Sequence, residues 1–150
     1  GQPVDTPAML ARLQQVAREI DLPFGEPSMT YNSRMAQELG KWAEDQALGD
    51  AFHHAVFLAY FRDGENIARR AVLLDICRTV GLDEASAQRV LAQRGYRSAV
   101  DRDWQLARQM RISAVPTFVM GERRLVGAQS YSALEALVQS SGGKRRRHGR

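Results

Sequence analysis

The chain holds one cysteine, Cys77, so chemistry that needs two cannot be built from it. A single thiol allows no intrachain disulfide, no Cys-x-x-Cys redox pair and no cysteine-rich zinc site. Its context is Ala71-Val72-Leu73-Leu74-Asp75-Ile76-Cys77-Arg78-Thr79-Val80. At helical spacing, Leu73, Leu74 and Val80 share its face, so Cys77 is expected in the core as a small hydrophobe with a raised pKa. His53 and His54 are consecutive and diverge by about 100° on a helix. A two-histidine metal site needs i, i+4 spacing and further ligands, which the sequence lacks. There is no phosphate-cradling glycine loop and no Ser-His-Asp arrangement. The expected catalytic residues and metal ligands in this chain are therefore none.

The segment Ile112-Ser113-Ala114-Val115-Pro116-Thr117-Phe118-Val119-Met120 is more informative. A proline cannot donate to a ladder, so Pro116 belongs at the mouth of a strand or on an edge. X-Pro is also the practical site for a cis peptide bond, and Val115–Pro116 is expected to be one. The β-branched and aromatic run predicts a strand. A Gly121-Glu122 turn and a second strand, Arg124-Leu125-Val126-Gly127, complete a hairpin.

Helical periodicity fills the chain before that point. Ala8 to Ile20 predicts a first helix with Thr6 as N-cap, Pro7 at the first helical position and a stripe of Leu10, Leu13, Val16, Ala17 and Ile20. Pro23, Gly25 and Pro27 make a loop of residues 21–30. Asn32 or Ser33 caps a second helix carrying Met35, Leu39, Trp42 and Ala43 on one face. A third starts at Gly49-Asp50, aligns Phe52, Val56, Ala59 and Tyr60, and ends at Arg62-Asp63-Gly64. A fourth spans about Ile67 to Val80. A fifth, capped by Asp83, runs from Glu84 to Gln93 and ends at Gly95. A sixth, capped by Ser98, reaches about Met110. After the hairpin, Ser130 caps a final helix with Leu134, Leu137 and Val138 facing inward. The fold class is α+β: a helical bundle over residues 1–111, a β-hairpin and helix over 112–140, and a basic, disordered tail over 141–150.

These elements resemble the DsbA family of thioredoxin-like proteins. Val-Pro-Thr-Phe leading into a hairpin and a helix looks like the C-terminal half of that fold. Asn32-Ser33-Arg34, Tyr60-Phe61, Gly81-Leu82-Asp83 and Val126-Gly127-Ala128-Gln129-Ser130 resemble its FrnE-like branch, in which a helical insertion separates the two halves. The resemblance covers roughly residues 8–139. It implies a thiol–disulfide oxidoreductase whose cis-proline loop, here Val115, Pro116 and Thr117, holds an extended peptide by its backbone. By family position alone, Asn32, Arg34 and Gln129 face a ligand crevice. The family's opening strand, Cys-x-x-Cys, helix and strand have no counterpart in this sequence, which starts about where the insertion is expected. A second implied class is the glutathione-dependent isomerases and transferases of kappa type, which need no dithiol. A third reading is a non-catalytic, dimerising peptide-binding module.

Charge and composition bound the partners. The net charge is +4, yet Lys144, Arg145, Arg146, Arg147 and Arg150 supply five positive charges, leaving −1 on residues 1–143. Nucleic acid is therefore not an expected partner of the body. No apolar run approaches the ~20 residues of a membrane span. The first residues lack a basic and then apolar leader, which with one cysteine agrees with a cytoplasmic protein. A two-stranded hairpin is marginal alone and leaves an open edge. The expected partners are a peptide or protein thiol/disulfide substrate, and a second copy or another polypeptide that closes that edge.

Overall fold

A computed structural model of the chain describes residues 6–25 and 30–143. The elements in order are α1 (Thr6–Glu19), α2 (Arg34–Asp45), α3 (Gly49–Phe57), a π-turn (Leu58–Arg62), α4 (Arg70–Thr79), α5 (Glu84–Gln93), α6 (Arg97–Gln109), β1 (Thr117–Met120), β2 (Arg123–Val126) and α7 (Tyr131–Ser140). The α+β class expected from the sequence, helices followed by a hairpin and a helix, is what forms. Two compact units divide between Arg102 and Asp103, within α6.

The first unit is built on short amphipathic helices that share one apolar core. Leu39, Ala43, Phe52, Leu73, Cys77 and Ala87 are wholly excluded from solvent, and Trp42, Ile67, Leu82 and Leu91 close around them. Helices this short are marginal in isolation, so burial of these faces holds them. Asp83 caps α5 by accepting from the Ser86 amide at 2.8 Å and from its hydroxyl, and those bonds hold its carboxyl below the usual range. The α4–α5 turn closes through the Leu82 amide on the Cys77 carbonyl at 2.9 Å.

Several boundaries differ from the sequence expectation for local reasons. The third helix does not run straight to Gly64; it widens at Leu58 into the π-turn, whose closing bonds include Asp63 N–H to the Leu58 carbonyl. That leaves the Phe61 carbonyl free to accept the Gly25 amide at 2.6 Å, and Phe24 lies against Phe61 with ring centroids 5.8 Å apart. Residues 66–69 form a turn in which Asn66 Oδ1 accepts the Ala68 amide, so α4 starts at Arg70 and not at Ile67. Arg94, and not Gly95, takes the left-handed conformation that ends α5, with φ 54°. Its side chain is thereby turned onto Glu38. Ser98 lies inside α6 and does not cap it. α1 already includes Thr6, so Thr6 is not its cap, and residue 5 lies outside the described residues. Pro27 and the basic residues 144–150 also lie outside them.

The α1 stripe is only partly covered: Ala17 is buried, whereas Leu13, Val16 and Ile20 are exposed.

In the second unit, β1 and β2 pair antiparallel in the register Thr117↔Val126, Phe118↔Leu125, Val119↔Arg124 and Met120↔Arg123. The two-residue connection puts Gly121 at φ 57°, a conformation that favours glycine. Ser130 caps α7 by accepting the Ala133 amide, and Leu137 is the buried residue of that helix. Val138 is exposed, not inward, although its carbonyl accepts the Gly143 amide at 2.9 Å.

Gly25 is the tightest backbone approach in the first unit, because a Cβ there would overlap the Arg62 carbonyl oxygen. Gly25→Ala should destabilise the chain by about 1–3 kcal/mol in urea unfolding. Gly95→Ala, where a Cβ meets nothing, should stay within about 0.5 kcal/mol. Equal effects at the two positions would contradict this packing.

Candidate functional site

The loop between α6 and β1 is shaped by its own backbone bonds. Arg111 at φ 54° and the Ile112 amide on the Ala107 carbonyl, 2.9 Å, end α6. Arg124, from β2, reaches back to donate to the Arg111 carbonyl at 3.2 Å. Beyond Ile112 the chain runs out to Val115, whose surface is 88% exposed. The Val115–Pro116 peptide bond is cis. Thr117 Oγ1 donates to the Ala114 carbonyl at 2.6 Å, tightening the loop from the strand side. Gly127 N–H donates to the Pro116 carbonyl at 2.8 Å and ties the loop to the far end of the hairpin. Proline therefore stands just outside the ladder, which begins at Thr117.

Val115, like Ser113 two residues before it, is left open. Among the described residues, neither its N–H nor its carbonyl has a partner. A fixed and exposed residue with both backbone groups free can receive an extended chain by main-chain hydrogen bonding. Gln129, in the same unit, donates through Nε2 to the Val126 carbonyl at 2.8 Å and so shapes the turn between β2 and α7.

Asn32 and Arg34 lie in the first unit and are engaged there. Asn32 Oδ1 accepts the Arg34 amide at 2.9 Å, opening α2. Arg34 donates to Glu38 one turn on at 3.2 Å, to the Arg97 carbonyl at 3.1 Å and to Asp101 at 2.5 Å. Glu38 has no exposed surface and also receives two bonds from Arg94, at 2.8 and 2.6 Å. Arg94 first, and then Arg34, hold its carboxyl below the usual glutamate range against the opposing effect of burial. The Arg34–Glu38 spacing of four was readable as a helical pair. The pairing with Arg94, 56 residues away, left no trace in the sequence.

Cys77 sits in the core with no solvent contact, and burial pushes its thiol up to about 12. A thiol held protonated is neither a nucleophile nor a metal ligand. His53 lies 3.5 Å from Glu44 and packs over Gly40, while His54 is exposed. Among the described residues no cluster of three metal-ligating side chains occurs.

The pattern of a helical unit followed by a cis-proline loop, hairpin and helix matches a known family: the model of the DSBA-like thioredoxin domain covers residues 2–139. This chain belongs to that family. It is 26% identical over 129 residues to the uncharacterized protein YwbO of Bacillus subtilis (strain 168), covering 84% of this chain and 64% of YwbO. Its fold is similar to 2-hydroxychromene-2-carboxylate isomerase, with a TM-score of 0.75, 20% identity, and coverage of 91% of this chain and 65% of the isomerase. It is also similar to the cytosolic disulfide reductase DsbM from Pseudomonas aeruginosa, solved with GSH, at a TM-score of 0.57 and 22% identity over 94% of this chain and 74% of DsbM. The chain spans less than two thirds of the length of YwbO and of the isomerase. At these identities the two structures speak for the fold.

The thiol assignment gives a direct test. In the native chain Cys77 should resist alkylation by iodoacetamide at pH 8, and in denaturant it should react with one equivalent within minutes. Rapid native alkylation would show a thiol that is neither buried nor raised.

Proposed function

We propose that the chain is the substrate-facing portion of a thiol–disulfide oxidoreductase of FrnE-like type, holding a peptide while the redox dithiol lies outside this sequence. The observation that carries the reading is the free backbone of Val115, set between the Thr117–Ala114 and Gly127–Pro116 bonds. Val115 aligns the peptide, Pro116 fixes the loop's course, and Thr117 braces it. In the reaction of this class, a thiolate attacks the substrate disulfide, one cysteine of the substrate leaves as thiolate, and a second enzyme thiol resolves the mixed disulfide. With a single raised thiol this chain supplies alignment only. Membership of the DSBA-like family and the likeness to a disulfide reductase support the reading. A cytoplasmic location belongs to it, and agrees with the cytosolic DsbM; no described helix is long and apolar enough to cross a membrane.

Asn32 and Arg34 in the first unit, and Gln129 in the second, enter this reading as ligand-facing residues by family position only, each being committed to bonds within its own unit. Pairing of the β1 outer edge with a second copy or another polypeptide completes it, because β1 is bonded only to β2 among the described residues.

A second reading, a glutathione-dependent isomerase of kappa type, is favoured by the single cysteine and by the likeness to an isomerase. Glutathione would present its own cysteine backbone to Val115 and supply the thiol that the chain lacks.

Titrating the 15N-labelled chain with a short extended peptide bearing a central blocked cysteine tests the first reading. Saturable shifts should centre on the Val115 and Thr117 amides. Val115→Pro, which removes the N–H donor, should weaken binding by about tenfold. Shifts produced by glutathione and not by the peptide would move the assignment to the second reading. No saturable shift at these amides with either ligand would overturn both.

A further inference from the structure

We propose that the cleft at the open end of the α4–α5 hairpin binds a small carboxylate with a short apolar body, a site separate from the Val115 loop. The cleft has a volume of about 330 Å³ and is lined by Arg70, Leu74, Gln88, Leu91 and Ala92. That volume lies at the lower end of the range for small-molecule pockets and holds roughly ten heavy atoms at about 30 Å³ per water-sized group.

Its floor is apolar. Leu91 is buried and Leu74 half-buried, and both side chains continue into the hydrophobic core. Ala92 contributes only a methyl group, which is what leaves the space open. The opposite end of the same hairpin is closed by charge: Arg78 bridges Asp75 at 2.6 Å and Glu84 at 3.5 Å. The open end has no such bridge.

Arg70 is the group that sets the ligand class. It is exposed at the rim, and among the described residues its side chain has no hydrogen bond, ion pair or aromatic contact. Its place in the first turn of α4 adds no stability either, since a cation there meets the positive end of the helix. A guanidinium without a structural partner, beside an apolar hollow, matches a carboxylate bidentately while the ligand's body covers Leu74 and Ala92. Gln88 stands on the same rim. Its amide nitrogen donates to Glu84 at 3.2 Å, which leaves its oxygen and second N–H for a ligand.

The test uses the full chain, 15N-labelled, and hexanoate as the probe, with hexylamine as its cationic counterpart. Hexanoate should give saturable millimolar binding, with shifts confined to residues around Arg70, Leu74, Gln88 and Ala92, and hexylamine should give none there. Arg70→Ala should weaken hexanoate binding about tenfold, the loss expected for one charge-assisted contact. Ala92→Phe, which fills the hollow and leaves Arg70 in place, should abolish it. Undiminished binding in either variant, equal binding of hexylamine, or no saturable shift at these positions would overturn the proposal. Unchanged spectra elsewhere in both variants would show that the fold is intact.

Discussion

Glu38 is a carboxylate with no access to water, and the first unit is organised around keeping it charged. Moving such a group out of water is expensive unless every oxygen is met by a strong donor. Arg94 meets it with two nitrogens and Arg34 with a third. No buried side-chain polar atom among the described residues is left without a partner. Losing either arginine leaves the excluded carboxylate short of a donor, which makes these the destabilising changes of the cluster. The cluster joins α2, the end of α5 and, through Asp101 and the Arg97 carbonyl, the start of α6. It also accounts for Arg94 in a left-handed conformation beside a glycine that would adopt it at less cost.

The second unit rests on a different constraint. Two four-residue strands and one helix bury little, so the loop before them is held by specific bonds and not by packing. Thr117, Gly127, Arg124 and Gln129 each tie one backbone carbonyl of that loop or its neighbouring turn. Together they leave Val115, like Ser113 two residues before it, with its backbone groups free among the described residues. An exposed residue with free backbone groups can take main-chain hydrogen bonds from a partner chain, which is the basis of the proposed peptide site.

Much of this was legible in the residues. Asp83 and Ser130 announced their helices because capping is local, and the hairpin was readable because a β-branched run, a glycine and a second run lie adjacent. Cys77 was placed in the core by its neighbours at helical spacing. The proline loop stood out for its residue types, and its likeness to a family supplied the role proposed for it. What could not be read was non-local. The π-turn exists because Gly25 and Phe24 come to lie against it. The end of α5 shifted to Arg94 because of a glutamate 56 residues away, and a propensity argument favours Gly95 there. Val138 and the α1 leucines fit an apolar period, but period alone does not say which part of a stripe a small unit covers.

The most direct measurement is the ionisation of Glu38, followed by the 13C shift of its carboxyl carbon across the acid range alongside the unfolding free energy. Its folded-state pKa is depressed, so the stability it contributes is fully present above the ordinary glutamate value of about 4.3 and is lost as pH falls through the lower folded value. The carboxyl should remain ionised below the ordinary glutamate value while the chain stays folded, and stability should decline with its protonation. Titration at or above the ordinary value, with stability unchanged through it, would mean that the two arginines do not hold Glu38 as a buried anion, and the account of the first unit would fail.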